Sequence, residues 1–203
     1  VMRQRFFTVI AAALAALLTL TACNSSRDQA GSSTTSASHS SGSTLPPGAH
    51  NDTDVAFAKD MIPHHQQAIQ MSEIMLSKDG VDPRVIRLAN QIKTAQGPEV
   101  QQLQAWLDQW GQPTMPSHSG MPAMGENSGM MSEQDMQALK NARGVEASTL
   151  FLTQMIQHHK GAIMMARNEI NSGENPQVIA LAQSIVTNQQ QEIQTIQDIL
   201  NSL

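Results

Sequence analysis

The chain has 203 residues, a formal charge of −5 at pH 7, a single cysteine, no tyrosine and 13 methionines. An acidic balance of this kind excludes a nucleic-acid partner, which needs a basic footprint, and one thiol excludes an internal disulfide framework. With aromatic residues at only 3%, the core must be built from Leu, Ile, Val, Ala and an unusual share of thioether.

At the N-terminus Arg3 and Arg5 precede an uncharged run from Phe6 to Leu20. The run is too short to span a bilayer comfortably and reads as the apolar region of an export signal, with Val1 an alternative start codon. Leu20-Thr21-Ala22-Cys23 resembles the lipobox of bacterial lipoproteins. Residues 1–22 are therefore expected to be a signal peptide. Cys23 is expected to carry the lipid that anchors the protein to the outer face of the bacterial cell membrane. Loss of Arg3 and Arg5 from the 12 basic residues would leave 10 against 17 acidic ones, a charge of −7. Residues 23–51 are rich in Ser, Thr and Gly and nearly devoid of large apolar residues, which predicts a flexible tether. His39 and His50 within it read as incidental.

Beyond the tether, apolar residues recur at three- and four-residue spacings, predicting helices over about 53–79, 82–110, 132–171 and 175–202. Gly80 and Gly173 read as C-terminal stops. Asp82 and Asn175 read as N-caps, each followed by proline at the first helical position, where a missing N–H costs nothing. Ser132 with Asp135 suits a capping box for the third helix, which Gly144 is expected to break or bend. Pro63 and Pro98 should kink their helices, since the periodicity continues on both sides. No strand-like alternation competes.

Between the halves, loop 111–131 carries Met115, His118, Met121 and Met124 before Met130-Met131. A polar loop has no packing reason to hold five methionines. This one is expected to close around a soft ion such as Cu(I) or Ag(I).

The second half repeats the first. Met61-Ile-x-His64-His65-x-x-Ala68-Ile69-x-Met71 recurs as Met155-Ile-x-His158-His159-x-x-Ala162-Ile163-x-Met165, and Asp82-Pro83-x-Val85-Ile86 recurs as Asn175-Pro176-x-Val178-Ile179. Two duplicated hairpins, 53–110 and 132–202, bury their matching stripes most simply against each other. The expected fold for residues 52–203 is thus an all-α four-helix bundle with approximate internal two-fold symmetry. On a helical wheel, His65 falls near the centre of the buried stripe. His64 lies to one side with Met61, Met71 and Met75, forming a ribbon of soft ligands. Met155, His158 and Met165 repeat the ribbon, His159 takes the place of His65, and Glu169 stands where Met75 would be.

The doubled motif resembles the ferritin-like domain-of-unknown-function family 305 over essentially all of residues 53–202. The resemblance implies a helical-bundle protein of the bacterial envelope, in a family of which some members are associated with copper binding and tolerance. It carries Met61, His64, His65, Met71, Met155, His158, His159 and Met165 over as motif residues. The halves differ at one point, where Gly161 after Lys160 in the second half faces Gln66 and Gln67 in the first.

Copper suits such a donor set. Thioether sulfur is a soft neutral ligand favouring Cu(I), with Ag(I) or Cu(II) as alternatives. A di-iron oxidase would need Glu-x-x-His motifs, but the residues three before His64 and His158 are Met61 and Met155. No nucleophile with a matched base appears, so binding is expected rather than catalysis. The expectation is a lipid-anchored extracytoplasmic copper-sequestering or copper-relaying protein. The alternative is an envelope interaction module in which the His and Met residues merely pack.

Overall fold

The computed structural model describes residues 48–112 and 128–203. The signal peptide, Cys23 and the ligands expected in the loop, Met115, His118, Met121 and Met124, lie outside the described residues. Five helices and, among the described residues, no strands make up an all-α fold: α1 (Asp52–Leu76), α2 (Pro83–Gln109), α3 (Glu133–Asn141), α4 (Gly144–Ser172) and α5 (Pro176–Leu200). None of them is long and apolar enough to cross a membrane.

Local chemistry accounts for the boundaries. Asp82 and Asn175 cap α2 and α5 through their side chains ahead of Pro83 and Pro176, and Ser132 forms a reciprocal capping box with Asp135. Helices α1 and α2 continue through Pro63 and Pro98. The expected third helix is two helices, because Ala142 and Arg143 take extended conformations and Gly144 sits at φ +53°. A residue without Cβ adopts that angle at little cost. The freed carbonyls of Lys140 and Ala142 each accept from Lys78 Nζ at 2.8 Å.

The first helix ends at Leu76, three residues before its expected limit, and Gly80 at φ +71° turns the chain afterwards. Gly173 ends α4 for another reason. Its φ is −70°, but a Cβ there would collide with the carboxyl group of Glu169.

The expected tether reaches too far. Residues 48–51 are docked: the His50 ring stacks on Trp110 at 4.4 Å, Ala49 O accepts from Asn175 Nδ2, and Asn51 donates to Ser172 O. Asn51 also caps α1, in a capping box with Asp54. His50 therefore packs, and the folded part begins ahead of residue 52.

Hairpins α1–α2 and α4–α5 meet chiefly through α1 and α4. One apolar cluster joins Met71 and Met75 of α1 to Phe151 and Met155 of α4, with Met136 and Leu139 of α3 over it. The other joins Phe57 and Met61 to Ala162 and Ala166. The N-terminal half of one helix thus packs on the C-terminal half of the other, so α1 and α4 run antiparallel. Between the clusters lies a polar layer.

Candidate metal site at the centre of the bundle

His64 is the middle residue of α1 and His158 the middle residue of α4. Antiparallel packing brings the two together, with ring centroids 3.7 Å apart. Each copy of the motif meets its own equivalent, as residues on a two-fold axis must. Both rings are fully buried, as are His65 and His159.

The outer parts of the layer follow the same symmetry. His65 Nε2 donates to Glu99 Oε2 of α2 at 2.7 Å, and His159 Nε2 donates to Glu192 Oε2 of α5 at 2.6 Å. Gln96 and Gln189 are buried beside them, each with an unpartnered Oε1. None of Gln96, Glu99, Gln189 or Glu192 was among the expected site residues, although the repeat carries them, Glu99 recurring as Glu192 and Gln96 as Gln189.

Burial holds His64 down to a pKa of about 3, with His65 and His159 adding to the effect. Burial and the neighbouring His64 put His158 well below its ordinary value. Both rings are therefore neutral at pH 7, with a lone pair on one nitrogen each. His64 Nε2 donates to Ser128 O at 3.0 Å while its Nδ1 is unpartnered, and neither nitrogen of His158 has a partner. Buried polar atoms are rarely left so, and an unmet one costs roughly 1–3 kcal/mol. A soft cation would take the one unused lone pair of each ring without requiring a proton.

Of the expected thioethers, Met61 and Met155 lie one turn from His64 and His158, and both are fully buried. Met71 and Met75 lie roughly 10 and 16 Å along the axis from His64 at 1.5 Å per residue. They belong to the α3 end of the core. Met165 is only half-buried, at the edge of the opposite cluster. The ribbon is thus divided between two clusters rather than gathered at one point. Among the described residues, no three His, Cys, Asp or Glu side chains converge as a preformed cage, so methionine would have to complete the donor set.

A second buried polar group lies at the far end of α4. Glu169 is fully buried with both carboxyl oxygens unpartnered, and it faces Asp54. Burial and Asp54 push Glu169 up to about 8. Burial also raises Asp54, yet the N–H of Asn51, the carboxyl of Glu169 and the N–H groups of Asn175 and Glu174 outweigh it and hold Asp54 below its ordinary value. At neutral pH Glu169 therefore keeps its proton while Asp54 is ionised.

The family model described as "Domain of unknown function (DUF305)" matches residues 54–200. The fold is similar to a DUF305 fragment from Deinococcus radiodurans at 32% identity and a TM-score of 0.68, covering 75% of this chain and 98% of that one. A DUF305 protein of Streptomyces coelicolor designated as secreted is 34% identical with a TM-score of 0.66, covering 74% and 93%. CopM in its Cu(I)-bound form is 31% identical with a TM-score of 0.63, covering 75% and 98%, and CopM has also been solved with Cu(II) and with silver. No curated protein sequence matches the chain.

Proposed function

The chain belongs to the DUF305 family, and from that premise we propose that it binds copper outside the cytoplasm, to sequester or relay it rather than to catalyse a reaction. One observation carries the reading: neutral, unpartnered nitrogens of His64 and His158 lie buried at the bundle centre, one turn from the buried sulfurs of Met61 and Met155. Imidazole and thioether together favour Cu(I) over Cu(II). The copper-bound and silver-bound forms of CopM support the same chemistry. Loop residues Met115, His118, Met121 and Met124 would supply a second site.

The test is a Cu(I) competition titration on the chain from residue 23 onward with Cys23→Ser, which removes the competing thiol. We expect a dissociation constant below about 1 μM. Replacing both His64 and His158 by Gln should abolish one equivalent. An unchanged stoichiometry would make the central layer a packing feature and favour the interaction module. Lipid anchoring at Cys23 belongs to the same proposal. The Cys23→Ala protein should leave the membrane fraction, and membrane retention of that variant would remove the anchor from the reading.

A further inference from the structure

Gln67 and Gly161 are equivalent positions of the repeat, 94 residues apart, yet one carries a long polar side chain and the other none. The segment Ser128–Met131 accounts for the difference. Gln67 grips it from α1, where Oε1 accepts from Met131 N at 2.7 Å and Nε2 donates to Met131 O at 2.8 Å. On α4, a Cβ at Gly161 would collide with the Ser128 carbonyl, and a Cβ at Gly129, whose φ is +73°, would collide with the carbonyl of Gln157. A single segment crossing a two-fold axis cannot obey it. One side has to grip and the other to yield.

The asymmetry reaches the histidines beneath. Ser128 O accepts from His64 Nε2, whereas His158 has no partner at either nitrogen. A carbonyl can only accept, so His64 keeps its proton on Nε2 and its lone pair on Nδ1. Glu99 and Glu192 likewise fix Nε2 of His65 and His159 as the donating nitrogen. His158 is the one ring of the four with no hydrogen bond in place, although the backbone of His64 is near enough to favour a proton on it. Acceptors of this kind set the tautomer and direction of ligating histidines.

We infer that Ser128–Met131 is a positioning strap that makes two symmetry-related histidines unequal ligands: Ser128 fixes His64 as an Nδ1 donor, and His158 stays free to offer either nitrogen to a soft cation. The nature of the ion rests on the copper reading. The tautomer assignment does not.

Long-range proton–nitrogen NMR correlations on imidazole-labelled, metal-free protein with Cys23→Ser report which nitrogen of each ring is protonated. His64 should show the Nε2–H pattern. Gly161→Ala, which pushes Ser128 off its seat, should mix the His64 tautomers while leaving His158 and the helical circular dichroism unchanged. Gln67→Ala frees the strap from the other side, should have the same effect, and carries the test if Gly161→Ala does not fold. In a Cu(I) titration, the same variants should lose roughly tenfold in affinity, the lower end of outer-shell effects. An Nδ1–H pattern at His64 in the parent overturns the strap assignment. So does a pure Nε2–H pattern that survives in a variant whose strap amides exchange faster with solvent. A parent that shows the expected tautomers but takes up no copper overturns the proposed function and leaves the positioning of His64 standing.

Discussion

The bundle buries two polar groups, and they solve the same problem in opposite ways. At its centre, neutral imidazoles stay uncharged by giving up protons. At the end formed by the N-termini of α1 and α5, Glu169 stays uncharged by keeping one beside an ionised Asp54. The centre buries no charge, and the end buries only that of Asp54, which the N–H groups of Asn51, Glu174 and Asn175 hold; a buried charge without such partners costs far more than a neutral group. They differ in what pH does to them.

For His64 and His158 the folded pKa lies below the ordinary 6.5. The folded state therefore binds fewer protons than the unfolded one, and stability rises with pH toward 6.5 and is lost as pH falls below it. Two such rings give a slope of up to about 2.7 kcal/mol per pH unit. Urea midpoints measured between pH 4 and pH 6.5 should show it, and replacing both rings by Gln should flatten it. A parent midpoint that does not move over that range would mean the rings are solvated in the folded state.

Glu169 has the reverse sign. Its folded value of about 8 lies above the ordinary 4.5, so the folded state holds the extra proton and stability falls as pH rises from 4.5 to 8. One group gives at most about 1.4 kcal/mol per pH unit. Glu169→Gln keeps the shape and supplies an N–H toward Asp54. It should remove this slope and leave the protein at least as stable at pH 8. A variant that keeps the parent slope would place its origin elsewhere.

The smallest effect sharpens the same contrast. Asn51→Ala removes a capping box that shares Asp54 with the carboxyl pair, and should cost about 1 kcal/mol. It should lower the thermal midpoint without altering the slope that the histidines set below pH 6.5.

Much of this architecture was legible in the sequence. Caps such as Asp82, Asn175 and Ser132 announce themselves because a short polar side chain before an apolar period has one cheap use. The meeting of His64 with His158 was not legible. A wheel gives the angle of a residue on its own helix but not which neighbour stands at that angle. His65, nearest the stripe centre, turns out to face Glu99 within its own hairpin, and His64, at the edge, faces the other hairpin. The strap was still harder to read, since four residues without periodicity carry no pattern. Only the mismatch of Gln67 with Gly161 hinted that something crosses there.

The axis between His64 and His158 has an evolutionary consequence. Two identical hairpins paired about such an axis would be a homodimer, and a mutation at the axial position would strike both sides of the contact at once. Here the two sides are encoded separately within one chain. Either ring can therefore be exchanged while its counterpart is kept, and fusion turns a locked symmetric contact into two positions that selection can tune apart.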